Sequence, residues 1–343
     1  MRRTGKKLGT AQDSRKIPSL CLCQRMGHPA LTLAAVLLLG LTAVAQNITG
    51  TVTNLTTGKP SAGDDVVLLS LMQGMQEVSR TKSDAQGHFT LPPPTEQRAP
   101  HMVRVTHGGV NYFPQSGPLM PGATTADIGV YDTAKKVDEL EQSVEVDRFQ
   151  SDGTQLQGIV LYAIKNNSQP PRTLASDTKT FEFVLPEGAE LDSSYAKGPG
   201  GQPVNSTANP TAQKNHYAFT FPLRPGETQF QVAFHMPYSG EASISPKIVN
   251  TVQHYVVMYP KGMRFTAKDP QQFQPMPDDT GAGVMVVTNA KPGQDLSFRI
   301  GGTGVFQAEQ QSAQAGGAEG GAMGGGGAAN DSRPGGGLGA PID

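Results

Sequence analysis

The histidines of this sequence are side chains that could hold a metal ion or act as a base. A zinc hydrolase needs His and Glu close together on one segment, but no histidine is followed by Glu at the third position, and HExxH does not occur. On a strand, His101 and His107 would share one face about 20 Å apart, too far to hold one ion. We therefore predict that both are solvated surface residues and that the chain holds no metal.

Paired aspartates and serines complete the set of residues that could do chemistry. Asp64-Asp65 and Asp278-Asp279 could offer oxygens to calcium, but this ion needs six to eight of them, and adjacent residues on a strand point to opposite faces. We predict turn and solvation roles for both pairs. The chain also lacks the GxSxG segment of a serine nucleophile and a glycine loop that ends in Lys and Ser or Thr. The sequence therefore predicts no enzyme and no cofactor.

Aromatic side chains in loops are the remaining candidates, because sugars stack on aromatic rings. The segment HGGVNYFPQ carries Tyr112 and Phe113, with Asn111 as a neighbouring amide. Trp, which has the strongest stacking surface, is absent from the chain. Alternatively, both rings pack on the edge of the sheet and anchor the loop. We predict Asn111, Tyr112 and Phe113 as candidate ligand-binding residues.

The first 45 residues have the pattern of a secretory signal. An apolar segment, Leu31 to Val44, follows seven Lys and Arg side chains and ends in small residues at Ala43 and Ala45. Because this segment is shorter than the roughly 20 residues of a transmembrane helix, we expect cleavage between Ala45 and Gln46 and not a membrane anchor. Met26 is an alternative start that would give a shorter leader.

Composition limits where the protein works and what it binds. Both cysteines, Cys21 and Cys23, lie in the predicted leader, so the exported chain has no disulfide and depends on its hydrophobic cores. Acidic side chains outnumber basic ones after the leader, which disfavours nucleic acid and anionic membranes as partners. We predict an exported protein that is periplasmic, on the cell surface or secreted, with no transmembrane anchor in the mature chain.

Short segments of β-branched residues, separated by turns, predict an all-β fold for the first region. Six strands are predicted, at Ile48–Asn54, Asp65–Leu71, Gln76–Lys82, His88–Leu91, Met102–His107 and Thr125–Tyr131. Met102 to Thr106 alternates in polarity, as a half-buried strand does. Asp84 to Gly87 is predicted to reverse the chain, because Asp bonds the following backbone and Gly tolerates a positive φ angle.

Longer alternating segments predict a second sandwich. They carry large apolar residues at every other position, which places these residues on one face of a strand. The residues predicted to face inward are Val160, Tyr162, Ile164, Phe181, Tyr217, Phe219, Phe221, Phe230, Val232, Phe234, Leu296, Phe298 and Ile300. Two such faces stacked about 10 Å apart form a β-sandwich. The polar segment from Leu191 to Asn215 is predicted to be a loop.

These patterns divide the chain into a leader at 1–45, a first β-sandwich at 46–135, a second, Ig-like sandwich at 136–304 and a disordered Gly-rich tail at 305–343. The boundary falls within Asp132 to Glu141, which is either a linker or the first turn of a short helix, and we favour the linker. The tail has too few large apolar residues to bury a core, so we predict a flexible tether.

The first sandwich resembles the carboxypeptidase regulatory-like domain, a transthyretin-like or prealbumin-like fold grouped with carbohydrate-binding-like folds. The residues that carry the resemblance are Gly50-Thr51-Val52, Thr57-Gly58-Lys59-Pro60, Val66, Leu68, the segment Thr81 to Phe89, Leu91-Pro92 and Val103-Arg104-Val105. The second region is similar to sandwiches found downstream of such modules in secreted bacterial proteins, through Phe181 to Pro186 and Phe221 to Glu227. The resemblance implies a fold and no particular ligand.

We therefore expect a non-catalytic, exported module that binds or supports other components of the cell envelope. A carbohydrate-binding accessory protein and a regulatory subunit of a secreted enzyme are the alternatives. An envelope protein or a polysaccharide is the expected partner.

Overall fold

The computed structural model describes residues 46–72, 74–96, 99–277 and 281–306. This part of the chain consists of β-strands, turns and a 3₁₀ segment at Pro270–Gln272. The predicted all-β class is therefore confirmed. The predicted leader, the chain from residue 307 and the pair Asp278-Asp279 lie outside the described residues.

Eight strands in two sheets form the first sandwich. They are β1 (Ile48–Asn54), β2 (Lys59–Pro60), β3 (Asp65–Ser70), β4 (Gln76–Lys82), β5 (His88–Leu91), β6 (His101–His107), β7 (Val110–Tyr112) and β8 (Ile128–Val130). One sheet has the order β2-β1-β5, with β8 pairing parallel to β1, and the other has the order β4-β3-β6-β7. Their facing side chains form one core, in which Val66, Leu68 and Val103 are fully buried.

The turn between β4 and β5 forms as the sequence predicts. Oδ1 of Asp84 accepts hydrogen bonds from the backbone N–H groups of Gln86 (2.9 Å) and His88 (2.8 Å). Gly87 has a φ angle of +78°, which residues other than Gly rarely adopt. The reversal places Phe89 in the core, where it is 3% exposed.

The remaining strands belong to the boundary and the second sandwich. They are β9 (Thr133–Ala134), β10 (Leu140–Ser151), β11 (Gln155–Asn166), β12 (Thr173–Leu174), β13 (Phe181–Val184), β14 (Glu190–Lys197), β15 (Val204–Asn205), β16 (Asn209–Pro210), β17 (His216–Phe219), β18 (Gly226–Pro237), β19 (Glu241–Ile244), β20 (Val252–Tyr259), β21 (Met263–Ala267), β22 (Gln274–Pro275), β23 (Gly283–Ala290) and β24 (Phe298–Gly302). One layer is an eight-stranded sheet ordered β15-β14-β18-β11-β10-β20-β23-β22. The other layer consists of two three-stranded sheets, β13-β17-β16 and β19-β24-β21.

Aromatic side chains fill the space between these two layers. Phe181 and Phe230 stack with their centroids 5.2 Å apart, and Phe219 lies 4.3 Å from Phe230. All residues that the alternation predicted to face inward are buried, except Tyr217 and Phe221, which are half-buried against the same core. The period-two pattern therefore identified the inner faces of β11, β13, β17, β18 and β24 correctly.

Two local predictions for the second region are corrected by the structure. The segment predicted as a loop contains β14, which pairs with β18 through a bulge between Leu191 and Ser193. Beyond Leu191, its inward residues Ser194 and Ala196 are small, so the strand carries no run of large apolar residues. The boundary segment contains β9, which pairs in parallel with β12, and Asp132 accepts a hydrogen bond from Nδ2 of Asn54. It is therefore a paired connection between the sandwiches and not a free linker.

Candidate functional site

The predicted ligand-binding loop lies where the two sandwiches meet. Tyr112 on β7 is 3% exposed, and its hydroxyl donates to the carbonyl oxygen of Tyr131 (3.0 Å) and lies 2.8 Å from Oγ1 of Thr173. The guanidinium of Arg224 lies 5.4 Å from the centroid of the Tyr112 ring. Burial raises the pKa of the Tyr112 hydroxyl. Tyr112 therefore joins residues of the first and second regions.

The other two residues of the predicted site have different surroundings. Oδ1 of Asn111 accepts a hydrogen bond from Oγ1 of Thr106 (2.8 Å). The backbone carbonyl oxygen of Asn111 accepts one from Nη2 of Arg224 (2.6 Å). Phe113 is 40% exposed. Of the three predicted residues, Phe113 presents the accessible ring, so a sugar-binding site at this loop stays a prediction that depends on Phe113.

A cluster of Ser61, Asp64 and His107 has the residue types of a catalytic triad. The Ser61 hydroxyl donates to Oδ2 of Asp64 (2.6 Å), and Nδ1 of His107 lies 2.7 Å from Oδ1 of Asp64 and 3.3 Å from Oγ of Ser61. In a triad, the acid and the nucleophile contact opposite ring nitrogens. Here both contact Nδ1, while Nε2 faces Oδ1 of Asp132 at 3.4 Å. This geometry links the first sandwich to the boundary segment and provides no proton relay from Ser61.

The prediction that His101 and His107 are solvated is wrong. His101 is 4% exposed, and the side chain of His107 is 19% exposed. Asp64, predicted to have a turn or solvation role, is buried at 8% exposure. The sequence did contain a signal, because both histidines share their parity along β6 with the core residues Val103 and Val105. The exposure predicted from their polar residue type was given more weight than this position along the strand.

A pair of buried carboxyl groups lies in the second sandwich and was not predicted. Glu145 and Asp147 are on the inner face of β10 and are 9% and 7% exposed. Burial raises the pKa of Asp147 to about 7, although a hydrogen bond from the Tyr255 hydroxyl (2.6 Å) opposes the shift. Burial, with a smaller contribution from Asp147, raises the pKa of Glu145 well above its ordinary value. Both acids therefore favour the protonated form at mildly acidic pH.

The register of three strands surrounds this pair with aromatic residues. Glu145 pairs with Tyr162 on β11 and with Tyr255 on β20. Burial also raises the pKa of both tyrosines well above the ordinary value, so they stay neutral. The cavity beside the carboxyl groups has a volume of about 20 Å³, which suffices for about one water molecule. A substrate therefore has no room to reach these acids.

An open groove of about 740 Å³ lies beside the boundary segment. Its lining is partly apolar, including Phe181, with Lys135 and Lys179 among the polar residues. Lys179 pairs with Glu182, and Lys135 lies 3.8 Å from Asp177. Because these lysines are accompanied by acids, they give the groove little net charge with which to attract an anion.

The described residues contain no group of three or more His, Cys, Asp or Glu side chains that could hold a metal ion. None of the helical segments among them has the length and hydropathy of a membrane span.

Comparisons with known proteins identify partial structural similarity and no family. No family model and no curated protein matches the chain. Solved structures similar in part include an M1 zinc metallopeptidase from Deinococcus radiodurans, at 12% identity, and a variant of a two-domain M1 zinc metallopeptidase bound to L-arginine, at 14% identity. Each similarity covers 47% of this chain and 42% of the other chain, with a TM-score of 0.27. The chain thus spans less than half the length of those proteins, and we draw no conclusion about activity from them.

Proposed function

We propose that this chain is a non-catalytic, exported protein of tandem β-sandwiches that acts as a binding or structural module at the cell envelope. We also propose that its first sandwich is a carboxypeptidase regulatory-like domain, from the sequence segments that resemble that family. The non-catalytic role is supported by one observation. The two clusters with catalytic residue types, Ser61 with Asp64 and His107, and Glu145 with Asp147, are largely buried and bonded within the protein.

The described clusters with catalytic residue types are occupied by internal contacts. Ser61 is 5% exposed and donates to Asp64, which also contacts His107. Asp147 accepts a hydrogen bond from Tyr255 within the aromatic core. A catalytic group must reach a substrate within hydrogen-bond distance, and these groups instead hold the fold together.

The proposed binding mode is addition of an extended segment of an envelope protein to β4. This seven-residue strand is the longest edge strand among the described sheets, and its outer side offers backbone groups to a partner. The bulge around Val78 and the ion pair of Arg80 with Glu77 protect the edge from unselective pairing. These features support a selective partner.

Export is tested by sequencing the N-terminus of the protein recovered from the envelope fraction of cells that express the full chain. We expect the recovered protein to begin at Gln46, because the apolar segment before it ends in small residues. Retention of the uncleaved chain in the cytosol would contradict the proposed location.

Binding is tested by placing a photo-crosslinking amino acid at Arg80 on β4 and, as a control, at Asp177, whose side chain is fully exposed elsewhere. We expect one reproducible adduct with an envelope protein from position 80 and none from position 177. Equal labelling from both positions, or turnover of a peptide or ester by the purified chain, would contradict the proposal.

A carbohydrate-binding accessory protein is the second candidate, because the Phe113 ring is accessible. It predicts retention of the chain on an immobilised polysaccharide and loss of that retention in Phe113→Ala. Retention that is unchanged in this variant would remove the sugar site at this loop.

A further inference from the structure

His101 is a buried residue whose ring has no hydrogen-bond partner among the residues that the structure describes. It begins β6 and is 4% exposed, and its ring makes no hydrogen bond to another described residue. Buried polar groups in folded proteins are satisfied by protein, by water or by a ligand. The ring borders a cavity of about 320 Å³ at the end of the first sandwich, so a ligand in that cavity can reach it.

Strand pairing brings a thioether to the same cavity. Ser70, the last residue of β3, pairs with His101, and the N–H of Leu71 donates to the carbonyl oxygen of Pro100 (3.2 Å). The chain then reaches Met72, which lines the cavity together with His101. Met72 and His101 are far apart in sequence, and only the register of β3 with β6 makes them neighbours.

A second thioether lies three residues further along the same hairpin. Met72 and Met75 are 62% and 64% exposed, although burial would favour such apolar side chains. The N–H of Gln76 donates to the carbonyl oxygen of Gly74 (3.1 Å) where β4 begins. Both thioethers are thus accessible to an ion from the solvent, and Met72 lines the cavity that the His101 ring borders.

The chemistry of these ligands selects the kind of ion. Thioether sulfur is a soft ligand that favours Cu(I), and imidazole also suits copper, whereas calcium and magnesium require oxygen ligands. Both cysteines precede residue 46, so methionine supplies the soft ligands of the described chain. Glu96 also lines the cavity and adds negative potential near a bound cation.

We propose that Met72, Met75 and His101 form a binding site for a soft monovalent cation of the Cu(I) type. The imidazole nitrogen and the two thioether sulfurs donate to the ion, which enters from the solvent side through the exposed methionines. This site goes beyond the proposed role in the envelope and uses neither Arg80 nor Phe113, although Gln76, Glu77 and Val78 of β4 also line the cavity.

The test is competition for Cu(I) between the purified chain and a chromophoric Cu(I) chelator under anaerobic conditions. We expect the chain to withdraw one equivalent of Cu(I), and Met72→Leu to weaken binding at least tenfold, because Leu keeps the shape and removes the sulfur. Met120→Leu is the matched control, since Met120 is 65% exposed in the same sandwich and does not line the cavity. It should bind Cu(I) like the unaltered chain.

A second measurement avoids reliance on His101 variants, which could unfold the sandwich. Ag(I), a redox-inert analogue, is added to the full chain with ¹³C-labelled methionine methyl groups. We expect the signals of Met72 and Met75 to shift with saturation at one equivalent, while those of Met120 and Met276 stay in place. Failure to withdraw Cu(I), equal shifts at all four methyl groups, or equal weakening by Met72→Leu and Met120→Leu would overturn the proposal. Tight Zn²⁺ binding that does not depend on Met72 would also overturn it.

Discussion

Gly87 occupies a position where both the backbone angle and the available space exclude a side chain. Its φ angle is +78°, and an added Cβ would lie 2.5 Å from the carbonyl oxygen of Val52. We expect Gly87→Ala to lower the free energy of unfolding by roughly 3 kcal/mol, because left-handed strain and overlap with the backbone act together. Urea denaturation followed by circular dichroism measures this loss.

Gly58 is the matched control for that substitution. It has a similar φ angle of +70°, but an added Cβ would meet no atom within 4 Å. Gly58→Ala should therefore lose only the left-handed strain, about 1 kcal/mol. Equal losses at the two glycines would show that the approach to Val52 does not matter.

The residues of the candidate site show how far a sequence can predict single positions. Tyr112, the last residue of β7, makes internal contacts, whereas Phe113, the first residue beyond the strand, is accessible. That Tyr112 lies beneath Arg224 could not be predicted, because more than a hundred residues separate them. Likewise, the contact of His107 with Asp64 depends on the packing of a loop against a strand end.

At the scale of elements, β10 combines a regular strand with an unusual inner face. Its alternation places Glu145, Asp147 and Phe149 inward on the same side. The neighbouring strands complete the environment, since Tyr162 comes from β11 and Tyr255 from β20. The acids were missed in the sequence because alternation was counted for apolar residues only.

Because the pKa values of the buried acids are raised, we expect their contribution to stability to decrease as the pH rises. The pKa of Asp147 rises from 3.8 to about 7 on folding, so the folded chain retains a proton that the unfolded chain has released within this window. The contribution of Asp147 to stability is therefore greatest below its unfolded pKa and falls as the pH rises towards 7, by up to about 4 kcal/mol from this group. Denaturant titrations between pH 5 and pH 7 measure the decline.

Asp147→Asn should make that profile shallower, because the amide stays neutral and can still accept the hydrogen bond from Tyr255, while the pKa of Glu145 stays raised by its own burial. Asp177→Asn is the control, since the Asp177 side chain is fully exposed, and it should keep the slope of the unaltered chain. Constant or rising stability of the unaltered chain across this range would contradict the prediction.

The strands themselves were largely predictable from sequence. β1, β4 and β5 have the predicted bounds, and Asp65–Leu71 and Met102–His107 differ from β3 and β6 by one residue at one end. β14 was not predictable, because a bulge follows Leu191 and the remaining inward positions carry the small residues Ser194 and Ala196. Short strands such as β9 exist only because a distant strand pairs with them.

At the scale of the whole molecule, Arg224 is one of the side chains that span the contact between the two sandwiches, together with Tyr112. It donates to the carbonyl oxygen of Asn111, and its guanidinium lies over the rings of Tyr112 and Phe221. Burial lowers the pKa of Arg224 from its ordinary value. Without the Arg224 side chain, the carbonyl oxygen of Asn111 would lose a hydrogen bond and the ring of Tyr112 would lose its contact with the guanidinium.

We expect Arg224→Ala to uncouple the two sandwiches. Differential scanning calorimetry should show one transition for the unaltered chain and two for the variant, with a loss of roughly 2 kcal/mol, as for a hydrogen bond to a charged group. Arg299→Ala, which removes an exposed ion pair with Glu241, is the control and should leave a single transition. A single, unshifted transition in Arg224→Ala would contradict a coupling role for this residue.

The sequence by itself determined the all-β class, most strands of the first sandwich and the inward faces of the second. These features follow from the period-two alternation of side chains and from turn residues, which are local properties of the chain. The tertiary structure decided which of these faces meet and which polar residues become enclosed. Strand register and contacts between distant segments produce three features. These are the surroundings of the carboxyl pair on β10, the cavity that His101 and Met72 line, and the contact of Tyr112 with Arg224. Alternation along a strand marks His101 and the two acids as inward, but what each of them contacts is a property of the packed molecule, so no local pattern could assign these contacts.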